Sequence, residues 1–149
     1  MTELLAGPSL TRRAGDALAV PLQHALGARL LDSADPTAGV RFTVADLAGN
    51  GAGGLHGGAL SGVLELAGYL ALLPHLTVDE HAVTHAVATH LFAAAKEGDD
   101  VEVRGALDRR TRRLAFLSVT ASVGDRLIAR AQITKSVVPS AAGPVAARA

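Results

Sequence analysis

The spacing of apolar residues changes character along the chain. In "GVRFTVAD", Val40, Phe42 and Val44 alternate with Arg41, Thr43 and Ala45, the period of a strand with one buried face. An earlier, weaker strand signal lies in "ALGARLLD". From about Gly57 to Leu73 the texture becomes long and rich in Leu and Ala, and Pro74 supplies the stop, which predicts a helix. "HAVTHAVATHLFAA" returns to β-branched alternation, followed by "DVEVRGALD", "RLAFLSVTASV" and "RLIARAQITKSVV". Short turns at the Arg-rich "RRTR" and at Gly124-Asp125 join these last three into a meander. Strands, one long helix, then four strands predict an α+β fold in which an antiparallel sheet wraps a central helix.

The 149 residues fit one domain spanning 1–149, its core at about 23–138 and its two ends reading as mobile tails. Fourteen basic and fourteen acidic residues cancel, which removes the overall field that attracts nucleic acid or an anionic membrane. No cysteine is present, so disulfide, zinc-thiolate and thiol-nucleophile chemistry are all excluded. The first twenty residues lack the order of a secretion signal, and the apolar run from Leu60 to Leu73 reads as short and glycine-broken for a bilayer span. The expectation is a cytoplasmic protein.

One residue resists the packing pattern of the helix. Glu65 sits near the middle of an otherwise apolar segment, on a stripe with Ser61 and Tyr69 and beside Gly58, Gly62 and Gly68. A carboxylate there must be paired, hydrogen-bonded or neutralised. Two readings are open: an acid on an exposed strip or paired with an arginine, or a group kept for chemistry. The helix start favours chemistry, because "GLHGG" puts His56, Gly57 and Gly58 where free backbone N–H groups and the positive dipole end meet. Gly57 then offers an oxyanion donor and Glu65 a base or nucleophile, the pair needed to hydrolyse an acyl bond. Yet eight residues of helix place them about 12 Å apart. Cooperation requires a second copy whose helix runs antiparallel; the glycine stripe would allow its close approach, although helix glycines also serve packing under a sheet.

At these residues the chain resembles a hotdog-fold acyl-CoA thioesterase of the phenylacetic-acid-degradation (PaaI-like) type. The resemblance rests on Asn50, on His56-Gly57-Gly58, and on an acid nine residues after the histidine, here Glu65. It implies a hotdog fold, a central helix wrapped by an antiparallel sheet, in dimers and often tetramers. It implies that Gly57 N–H polarises the thioester carbonyl, that Asn50 and His56 shape the loop, and that Glu65 of the facing subunit activates water or attacks the carbonyl. Thr84 is the nearest match to a hydroxyl residue that the family carries on the following strand. Where some relatives have a small hydroxyl one turn after the acid, this chain has Tyr69. No cofactor is implied beyond coenzyme A as part of the substrate, with neither nucleic acid nor membrane as partner.

Other signals carry less. His81 and His85 share a strand face with His90 on the other, so no compact three-ligand metal set follows. "GNGAGG" lacks the Lys-Ser/Thr ending of a phosphate loop, and Ser61 lacks a nucleophile elbow. Arg109, Arg110, Arg112 and Arg113 are either a solvated turn or a contact for coenzyme A phosphates. Beside the thioesterase reading stand a non-catalytic acyl-CoA-binding module and a hotdog hydratase or dehydratase.

Overall fold

A computed structural model describes residues 2–141. Two short helices open the chain, α1 (Gly7–Leu18) and α2 (Pro21–Ala25), followed by strands β1 (Arg29–Leu30) and β2 (Val40–Thr43). The long helix α3 (Gly57–Leu72) leads through a 3₁₀ turn at Leu73–His75 into β3 (Glu80–Leu91), β4 (Asp100–Arg110), β5 (Leu114–Val123) and β6 (Arg126–Pro139). All neighbours in the sheet are antiparallel, in the order β1-β2-β4-β5-β6-β3. This is the expected α+β architecture, and α3 packs on the concave face of the sheet. The early strand shrinks to two residues.

The core follows from the alternation. Val40, Phe42 and Val44 are fully buried, as are Leu64, Leu70 and Leu72 from the helix and Leu117 and Ile133 from the meander. Each such side chain stabilises the fold by about 1.5–3 kcal/mol relative to exposure. Helix and sheet approach closely at Gly105 on β4, where an added Cβ would lie 2.6 Å from the Ala67 carbonyl oxygen. Only glycine fits there.

Three expectations change. Residues read as an N-terminal tail instead form α1, with Leu5 and Ala14 buried in the core. The chain entry is sewn down by Leu5 N–H to the Leu76 carbonyl (2.8 Å) and Val78 N–H to the Glu3 carbonyl (2.9 Å). The tail expected after Pro139 lies almost wholly outside the described residues. The apolar segment, read as short for a bilayer span, is long and apolar enough for one: with the 3₁₀ turn Gly57–His75 runs 19 residues and reaches a mean hydropathy of 1.3, but 67% of its apolar window is buried inside the chain, so protein covers it. Finally, the glycines of α3 serve packing within the chain. Gly62 faces Leu22 of α2, and Gly68 faces Val119 and Ile133 of the sheet, so they form no open stripe for a second helix.

Candidate active site

The loop before α3 is built by its own polar groups. Asn50 Oδ1 accepts from the N–H groups of Ala52 (2.8 Å) and Gly54 (3.1 Å), folding "GNGAGG" into a turn. His56 is the N-cap of α3: its Nδ1 accepts from Gly58 N–H at 2.9 Å, satisfying one free donor of the first turn. Gly57, at the first helical position, keeps its N–H without an acceptor among the described residues. Gly57 borders a cavity walled by Leu55, Leu60, Leu91, Phe92 and Ile128.

Glu65 is half-buried and makes no ion pair within 4 Å among the described residues. Its Oε2 accepts from the Thr84 hydroxyl at 2.7 Å. Thr84 stands just before a β-bulge that shifts the β3–β6 register between Thr84 and Ala86. Thr84 Oγ1 in turn accepts from Lys135 Nζ at 3.1 Å. Beyond them Tyr69, 8% exposed, shares a hydrogen bond of 3.2 Å with His81 Nδ1, the rings meeting edge to face. Burial raises the Tyr69 phenol pKa, outweighing Arg13, which lowers it. Burial, with Arg13 and Lys135, holds His81 below its ordinary value.

Glu65, Tyr69, His81 and Lys135 line a cavity of about 440 Å³ that is also walled by Arg13, Asp16, Ala17, Val20 and Gln23 from the α1–α2 segment. Arg13 is itself anchored to the carbonyls of Glu80 (2.9 Å) and Val78 (3.3 Å). The chamber therefore depends on residues that the sequence pattern assigned to a tail.

Of the residues expected to cooperate, one chain brings Glu65 and Thr84 together, and groups Asn50, His56 and Gly57 at the other end of the helix. Gly57 and Glu65 open onto separate cavities. The bulge also ends the simple strand parity of the histidines: His81 meets Tyr69, whereas exposed His85 meets Ser136 at 3.1 Å. Among the described residues no three His, Cys, Asp or Glu side chains cluster as metal ligands. Arg110 pairs with Glu80 at 2.9 Å, and Arg109, Arg112 and Arg113 remain exposed.

Sequence reasoning missed Lys135. Its signal was present, since Ala129, Ala131 and Ile133 are the inward phase of β6 and Lys135 continues it. A lysine in an apolar phase is the same anomaly that drew attention to Glu65.

The outer edge of β3 pairs with nothing among the described residues and exposes Val83, Val87, Leu91 and Phe92 at its end. Such an edge is a template for another strand.

The family described as fluoroacetyl-CoA-specific thioesterase (FlK) matches residues 31–141. No curated protein matches the sequence. Among solved structures, a thioesterase from Haemophilus influenzae is 18% identical, with a TM-score of 0.77 over 91% of this chain and 94% of that one. The E. coli PaaI protein from the phenylacetic acid degradation operon is 17% identical, with a TM-score of 0.74 over 87% and 94%. A hypothetical thioesterase from Streptococcus pneumoniae, solved with coenzyme A, is 20% identical, with a TM-score of 0.60 over 68% and 77%. At these identities the likeness is one of fold, the hotdog fold.

Proposed function

The chain belongs to the fluoroacetyl-CoA-specific thioesterase family and is an acyl-CoA thioesterase, and we propose that it cleaves the thioester between Gly57 of one protomer and Glu65 of its partner. The observation that carries the reading is the hydrogen bond from Thr84 to Glu65, which engages one carboxylate oxygen and leaves the other free beside the cavity.

The Gly57 N–H, at the positive end of α3, donates to the thioester carbonyl oxygen as negative charge develops on it. Glu65 takes a proton from water while the water oxygen attacks the carbonyl carbon; collapse then breaks the C–S bond and coenzyme A leaves as its thiol after regaining that proton. The alternative, direct attack by Glu65, forms an acyl-carboxylate anhydride that a water then opens, with the same products. Both routes use the same two groups. Asn50 and His56 act on the shape of the loop and the cap, consistent with their hydrogen bonds.

Two copies of β3 pairing antiparallel about an axis at Ala88 would set Thr84 opposite the partner's Phe92, whose neighbourhood holds the partner's Gly57. An added Cβ at Gly57 would touch Leu91 at 3.7 Å, which ties the helix start to this end of β3. The strand edges, rather than the glycines of α3, are thus the joint of the proposed dimer. The phosphates of coenzyme A, the ligand in the Streptococcus pneumoniae relative, would meet the free arginines Arg109, Arg112 and Arg113.

Thiol release from a panel of short, long and aromatic acyl-CoAs tests the reading. Glu65→Ala is expected to stay folded and lose at least about a hundredfold in kcat. A folded Glu65→Ala protein with wild-type rates would refute it.

A further inference from the structure

We propose that Lys135 is a positioning residue that holds the Thr84 hydroxyl toward Glu65 and sets a cation beside the Glu65 carboxylate. The inference rests on the role for Glu65 given above.

Lys135 is the only charged side chain fully buried among the described residues, at 4% exposed. Thr84 is its direct partner across the β3–β6 ladder, so both side chains emerge on the same face of the sheet. On its other side Lys135 pairs with Ala115 of β5, which carries no charge. Burial draws the Lys135 pKa below its ordinary value, and Glu65 opposes that shift.

The direction of the hydrogen bonds follows from donor counting. An ammonium has three donors and no acceptor. Thr84 Oγ1 must therefore accept from Lys135, and its single proton is turned outward to Glu65 Oε2 at 2.7 Å. Without the lysine the hydroxyl oxygen loses the donor that holds it in place, and the bond to Glu65, which can only accept, is left to fix the rotamer alone. The relay so fixes one carboxylate oxygen and presents the other to water or to the carbonyl carbon.

Of the other polar groups around the cavity, Gln23 donates to the Gly62 carbonyl at 3.0 Å and leaves its buried Oε1 without a partner among the described residues. Arg13 of α1 bonds to backbone carbonyls, and the Tyr69 hydroxyl of α3 is held by His81 of β3. Asp16 of α1 lines the same cavity, but Glu65 is the charged group that acts on Lys135. The Lys135 ammonium also lies 5.8 Å from the Tyr69 ring centre, where the ring face offsets part of its lost hydration.

The test is the pH–rate profile of Lys135→Met, Lys135→Arg and Thr84→Val. Lys135 has no ion pair within 4 Å among the described residues, so an apolar chain of similar length there strands no directly bonded carboxylate and removes a desolvated charge, which is compatible with folding. Lys135→Met should move the acid limb of kcat to higher pH by about one unit and lower kcat at neutral pH about tenfold, with KM little changed. Lys135→Arg should restore most of the limb. Thr84→Val cuts the relay at its middle and should move the limb the same way, and its effect should not add to that of Lys135→Met. A folded Lys135→Met with an unmoved limb, or additive effects of the two changes, overturns the proposal. If Lys135→Met does not fold, an unmoved limb in Thr84→Val does so. Absence of thiol release by the unaltered protein would instead sink the thioesterase role of Glu65, so the two failures are distinct.

Discussion

Replacing Gly57 by proline removes the N–H from the proposed site and puts the ring Cδ in its place. Gly57 is the first helical residue, where proline is favoured because the lost N–H has no helical acceptor. Its predecessor His56 has φ −75° and ψ 126°, the extended conformation a following proline demands. A side chain at this position meets only Leu91 Cδ1, at an ordinary 3.7 Å. The fold should therefore survive with an unchanged melting profile. Loss of one oxyanion donor is expected to cut kcat by a factor on the order of 10²–10³, about 3–4 kcal/mol in the transition state, with little effect on KM. Mixing Gly57→Pro with Glu65→Ala protein then decides where the two groups meet. If they meet across the two-fold interface, each mixed dimer holds one intact site and one doubly damaged site. Unfolding and refolding an equal mixture makes half the dimers mixed, so about a quarter of unaltered activity should return. If both groups act within one chain, mixing restores nothing. Thiol release measured on mixed dimers purified with two different tags gives the answer, and purified mixed dimers no more active than either parent would refute the shared site.

The pairing of β3 edges makes a second prediction: Ala88→Glu sets two carboxylates opposite each other at the proposed axis, so light scattering should show dissociation and activity should fall with it. A dimeric, fully active Ala88→Glu protein would exclude this register. The third concerns His81, whose pKa is depressed by burial first and then by Arg13 and Lys135. Because the unfolded chain takes up a proton near the ordinary value of 6.5 while the folded chain resists it, stability should fall as pH drops from about 6.5 toward the lower folded value. Melting temperatures across that range should decline less for His81→Gln, and equal declines would show that His81 does not drive the effect.

Alternation and the one long apolar segment were enough to determine the α+β layout, because burying one face of a strand or one side of a helix is a local demand written in residue spacing. The same logic singled out Glu65, and the spacing of His56, Gly57 and Glu65 showed that a single chain cannot bring them to one carbonyl. What tertiary structure decided depends on contacts between residues far apart in the chain. The short helices α1 and α2, which the reading of the residues did not mark, pack on the core and wall the cavity. The bulge in β3 sets which neighbours Thr84 and His81 find, and a one-residue shift in register cannot be read from alternation. The helix glycines could equally have served a partner helix; the presence of Leu22 and the sheet against them assigned them to the chain's own packing. Lys135 was visible as a polar residue in an apolar phase, but its meaning required Thr84 and Glu65 to arrive from two other elements.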